Sequence, residues 1–145
     1  MISIAKERII TIIIWFSLSL SFLTVATFIF WLIFPYKILT FGSENGTFVS
    51  KTVRSGEYLE MYQDSCKYIN IPSHINRQFI DGIVYQVYPS INNRPMGCSK
   101  NIEYIKVPEP LPPGKYFVRT VISFEVNPLR TVSYTVKSED FIIVK

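Results

Sequence analysis

Leu111-Pro112-Pro113-Gly114-Lys115-Tyr116-Phe117-Val118-Arg119-Thr120-Val121-Ile122-Ser123-Phe124-Glu125-Val126 is the stretch on which the fold turns. After the proline-glycine turn, Tyr116, Val118, Thr120, Ile122, Phe124 and Val126 share one face of an extended chain. Arg119, Ser123 and Glu125 share the other. Side chains alternate with period two along a strand, so one packed face and one wet face are expected. Val132, Tyr134 and Val136 repeat the alternation after Asn127-Pro128-Leu129-Arg130, which reads as a hairpin connection.

The same grammar extends back to Tyr36. Short runs rich in β-branched and aromatic residues predict strands at Tyr36–Phe41, Thr47–Val53, Glu57–Gln63, Ile75–Ile80, Ile83–Tyr88 and Ile102–Val107. Tyr116–Val126 and Thr131–Lys137 follow, with Phe141–Val144 continuing or ending the sheet. Asn45-Gly46 and Asp81-Gly82 suit two-residue type I′ hairpins, in which both central residues take positive φ. Ser55-Gly56, Asn92-Asn93 and Asn127-Pro128 are further turns. No stretch after Tyr36 keeps a helical period for three turns, so an antiparallel all-β domain is expected.

Before Tyr36 the chain changes character. Ile9 to Phe34 is a run of 26 residues without a charge. As a helix it reaches roughly 39 Å, longer than a hydrocarbon core of about 30 Å, so it can span a bilayer with some tilt. Trp31 and Tyr36 fall where an interfacial aromatic belt belongs, Pro35 is a stop, and Lys37 marks the water boundary. The rival reading is a cleaved signal peptide. Its apolar region should run 7–15 residues, and a cut near Thr24-Val25-Ala26 would leave Thr27 to Phe34 as a greasy new terminus. The expected organisation is a short cytoplasmic tail at 1–8, a transmembrane helix at 9–34 and an extracytoplasmic β domain at 35–145. Lys6 and Arg8 barely outweigh Lys37 in setting orientation, and the cysteines carry that assignment. Within the span, Ser17, Ser21 and Thr24 share a helix face. They can mediate close helix approach, or simply bond to carbonyls one turn back.

Cys66 and Cys98 are the only cysteines and both lie in the β domain. An even count in a small exported domain points to one disulfide. Two free thiols are the alternative, and no Cys-x-x-Cys spacing suggests redox catalysis. The sole histidine, His74, has no accompanying nucleophile or carboxylate constellation, and Glu57, Glu60 and Asp64 read as a wet strand face. No phosphate loop, dinucleotide fingerprint or zinc-protease motif is present, and no cofactor or metal is expected. The 145 residues carry a net charge of only +4, scattered rather than striped, which argues against a nucleic-acid surface. Asn45-Gly46-Thr47 also fits a glycosylation acceptor, but the turn already explains it. Arg94 and Met96 lie in a turn-rich stretch, Pro89 to Asn101, where they could contact a partner or merely line a solvated connector.

Leu111-Pro112-Pro113-Gly114-Lys115-Tyr116 resembles the turn that leads into a late strand of fibronectin-type and immunoglobulin-like domains. The resemblance implies an immunoglobulin/fibronectin-like sandwich in which the tyrosine bonds to backbone upstream. Cys66-Lys67-Tyr68, Gly97-Cys98, the Pro-Pro-Gly-Lys-Tyr turn and Asn127-Pro128-Leu129-Arg130 together resemble small phage- and prophage-encoded membrane proteins of unassigned function. That likeness implies a viral or bacterial membrane setting and no active residues. The functional expectation is a non-enzymatic binding module whose partners are the lipid bilayer and an envelope or membrane protein. The alternative is a structural subunit that forms a homo-oligomer through its helix; an enzyme is the third reading.

Overall fold

The structure is a computed structural model that describes residues 2–42 and 46–145. The chain divides into two compact units, Met1–Pro35 and Tyr36–Lys145.

The first unit is one helix, α1, Ile2–Ile33. It runs back through most of the charged N-terminal segment as well as the apolar run. The stretch Arg8–Ile33 is long and apolar enough to cross a membrane, with a mean hydropathy of 2.3. From Arg8 to Ile33 its side chains are exposed on every side. A helix apolar all round needs an apolar surrounding, because water cannot solvate it favourably. Pro35 ends it, having no N–H to donate and biasing Phe34 away from helical backbone.

The second unit is built from nine strands among the described residues. They are β1 (Leu39–Phe41), β2 (Thr52–Arg54), β3 (Tyr58–Lys67), β4 (Ser73–Ile80), β5 (Val84–Gln86), β6 (Ser90–Asn92), β7 (Gly97–Lys106), β8 (Gly114–Asn127) and β9 (Arg130–Val144). One sheet has the order β1-β3-β7. The other runs β2-β9-β8-β4-β5, with β6 also on β4. The core lies between them: Leu59, Met61 and Ile105 from the first sheet, with Val107 just beyond β7, meet Phe79, Val118, Phe141 and Ile143 from the second. A second cluster, Ile38, Leu39, Ile75, Ile122 and Phe124, closes the other end. Between the clusters Arg77 of β4 forms a part-buried ion pair with Glu103 of β7.

The strand from Tyr116 alternates as expected: Tyr116, Val118, Thr120, Ile122 and Phe124 are all buried. Its partner β9 is longer than the expected strand and carries a bulge. Phe117 pairs with Asp140 and Arg119 with Lys137, so Ser138 and Glu139 together oppose Val118. The buried Ser138 hydroxyl accepts the Val118 N–H at 2.8 Å, replacing a ladder bond the bulge removes. That extra residue is why Val136 and Phe141 both face inward, although strict alternation would put them on opposite faces.

Three expectations are corrected. The second sheet is mixed rather than purely antiparallel, since β2 pairs β9 in parallel, Thr52 opposite Ile142 and Arg54 opposite Val144. Parallel neighbours need a long connection, and here nearly the whole unit supplies it. Asp81-Gly82 is not a two-residue type I′ turn. Ile80 pairs Val84 across three residues, and only Gly82 has positive φ, 114°. The Asp81 carboxylate accepts the Ile83 N–H at 3.0 Å, which settles the aspartate without a left-handed backbone. Ser90–Asn92 is a strand on β4, and β7 begins at Gly97, both inside the stretch expected to be turn-rich. The Asn45-Gly46 turn lies partly outside the described residues.

The expected bond from the tyrosine to backbone upstream is present. The Tyr116 hydroxyl donates to the Pro112 carbonyl at 2.9 Å, with the ring 1% exposed. Burial, then Asp81 and Tyr85 nearby, hold this phenol above its usual pKa near 10. The native state therefore keeps its proton where an unfolded chain would lose it. The stabilisation is complete below pH 10 and declines above it. Tyr116→Phe should cost about 1–2 kcal/mol at neutral pH, by orphaning the Pro112 carbonyl, and should flatten that alkaline decline. Urea midpoints at pH 7 and pH 10.5 check both effects.

Candidate functional site

The outer face of the β1-β3-β7 sheet is the first candidate. In β3 the odd positions from Leu59 to Lys67 point inward, leaving Tyr58, Glu60, Tyr62, Asp64 and Cys66 outward. In the ten-residue antiparallel register with β7, Glu60 faces Tyr104, Tyr62 faces Ile102, Asp64 faces Lys100 and Cys66 faces Cys98. Tyr58 and Tyr104 are each 61% exposed, and Tyr62 and Ile102 about 40%. Three tyrosines and an isoleucine thus share one face across two strands, with Glu60 and Lys106 among them. Tyrosines give large contact area with a polar tip, at little side-chain entropy cost, and are enriched in interfaces. The patch is closed on one side by the 3.5 Å Asp64–Lys100 ion pair and the Cys66–Cys98 disulfide. Both devices tie β3 to β7, so the patch sits on a stiffened ribbon. Among the described residues β7 is the outermost strand of this sheet, and its outer edge runs the length of the patch.

On the inner side of the same strand lies the second candidate. A cavity of about 30 Å³ is lined by Lys67, Arg94, Gln63, Ser73 and Asn92 against Ile122 and Phe124. Lys67 is 4% exposed, although lysine is almost never fully buried without a partner. Its Nζ donates to the Arg94 carbonyl at 2.7 Å, and Arg94 Nη2 donates to the Ser65 carbonyl at 2.8 Å. The Ser73 hydroxyl donates to the Asn92 carbonyl at 3.1 Å. Burial, and then the neighbouring Arg94 charge, lower the Lys67 pKa.

The other sequence-derived residues are dispersed. Thr24 Oγ1 donates to the Leu20 carbonyl at 2.9 Å, a bond one turn back along α1, while Ser17 and Ser21 stand exposed on the same helix. Trp31 lies in the last turns of α1. Tyr36 belongs to the β unit, packed against its second cluster with Arg130 over the ring, and Lys37 sits over Tyr68 at 4.5 Å. Met96 is exposed beside Arg94, whose guanidinium is tied back to β3. His74 is exposed on β4. Among the described residues no three His, Cys, Asp or Glu side chains cluster closely enough to hold a metal ion.

Lys67 and the tyrosine patch were not singled out from sequence. A signal existed: continuing the alternation Leu59, Met61, Gln63 past the expected strand end at Gln63 places Ser65 and Lys67 inward. The same continuation places Tyr58 and Tyr62 on the open face. The chain matches no protein-family model and no curated protein.

Proposed function

We propose that this chain is a membrane-anchored, non-enzymatic binding module, held by α1 and presenting the Tyr58–Tyr62–Ile102–Tyr104 face to a protein in the same membrane. The observation that carries this reading is the patch itself: rich in tyrosine, exposed and mounted on a ribbon tied by a disulfide and an ion pair. The apolar helix supports the anchor. The disulfide supports an oxidising compartment for the β unit, and hence an N-terminus on the cytoplasmic side. The β unit begins three residues after the last helical residue, so the tether is short and its effective concentration for partners in that membrane is high. Packing between two sheets and the Tyr116 corner favour an immunoglobulin/fibronectin-like ancestry. The parallel β2–β9 pair and a disulfide within one sheet, rather than between sheets, are its departures. The binding role does not depend on a viral or bacterial setting, which rests on the sequence resemblance alone.

Photoreactive residues placed at Tyr62 and Tyr104 of the full chain in its native membranes should yield an adduct of one defined mass. The same probe at Thr135, exposed on the other sheet, should not. Equal labelling at all three positions, or none at any, defeats the proposal. A second, differently tagged copy in the adduct would reassign the face to self-association.

A further inference from the structure

We propose that the cavity lined by Lys67 and Arg94 binds one compact monovalent anion, either a halide ion or the carboxylate group of a small ligand. The two cations arrive from separate elements, Lys67 from the end of β3 and Arg94 from the segment between β6 and β7. Their hydrogen bonds go to the backbone carbonyls of Arg94 and Ser65. An ammonium has three donors and a guanidinium five, so both groups retain donors beyond those bonds.

Counter-charge is what the cavity lacks. Among the described residues no carboxylate lies within 4.0 Å of either cation: Asp64 is engaged with Lys100 on the opposite face, and Glu103 with Arg77. Burying one cation unpaired is costly, and a second beside it adds repulsion. An anion between them removes both penalties and uses the remaining donors. Gln63 and Asn92 bring amide groups to the lining, while Ile122 and Phe124 form a dry wall that strengthens the attraction. The volume of about 30 Å³ admits one or two water-sized occupants. Chloride, bromide or the two oxygens of a carboxylate fit that space. The site lies on the opposite face of β3 from the tyrosine patch and is independent of the binding role.

The test is the thermal unfolding midpoint of the full chain in detergent micelles at constant ionic strength, with chloride, bromide or formate replacing isethionate. At tenfold excess over the dissociation constant the midpoint should rise by on the order of 5 °C, and it should climb by a similar increment for each further tenfold of anion. A rise with halides alone assigns a free halide; a rise with formate as well assigns a carboxylate. Arg94→Gln and Lys67→Met should each abolish the dependence; should Lys67→Met not fold, Arg94→Gln carries the comparison. Crystals soaked in bromide should show an anomalous peak within hydrogen-bond distance of Lys67 Nζ. A midpoint indifferent to the anion, or bromide found only at exposed lysines, overturns the proposal.

Discussion

Replacing Cys66 and Cys98 together by serine should lower the stability of the β unit by roughly 3–4 kcal/mol, because the bridge closes a loop with a sequence separation of 32. The effect arises mainly in the unfolded chain, where the bridge holds β3 and β7 together before any ladder forms. In the native state the two strands already share ten register pairs from Tyr58–Lys106 to Lys67–Gly97, so the sheet should survive the replacement. Replacing both cysteines avoids a leftover thiol that could cross-link chains. The thermal midpoint of the full chain in micelles should fall by on the order of 15 °C. Reductant should lower the wild-type midpoint to the same value and leave the double variant unchanged. A loss below about 1 kcal/mol would mean that the denatured chain keeps β3 near β7 without the bridge.

Phe141→Ala should be at least as damaging, at about 3–5 kcal/mol. Phe141 is 1% exposed, and its ring meets those of Phe48 at 5.1 Å, Phe79 at 6.1 Å and Tyr116 at 6.3 Å. These neighbours come from three separate stretches of chain. Phe48 bridges to Met61 of β3, Phe79 lies on β4 and Tyr116 lies near the start of β8. Truncation therefore leaves a hole that no single element can shift to fill, and close packing makes such holes expensive. Phe117→Ala is the control. That ring is only half-buried, beneath Lys137 at 4.2 Å, and its loss should cost about 1 kcal/mol. Denaturant midpoints of the two variants decide the matter. Equal losses would show that the aromatic cluster adds nothing beyond ordinary burial.

The two predictions mark different depths of legibility. The presence of both cysteines in the β segment was visible in the chain, and so was the chemistry that joins them. That they occupy directly opposed positions on neighbouring strands was not, because register is set by contacts between residues about thirty apart. Phe141 was visible only as part of a final apolar run. Its role depends on the bulge at Ser138–Glu139, which turns it inward where uninterrupted alternation would have turned it out.

Local physics is what the sequence determined alone. Uncharged length from Ile9 to Phe34 demands an apolar surrounding, and period-two alternation from Tyr116 to Val126 demands a strand with one packed face. Both follow from solvation and backbone geometry over a few neighbouring residues. Tertiary structure decided the rest: the parallel seating of β2 on β9, the tyrosines gathered across β3 and β7, and Lys67 carried inward beside Arg94. Alternation assigns a residue to a face, but only the pairing of distant strands decides what that face meets.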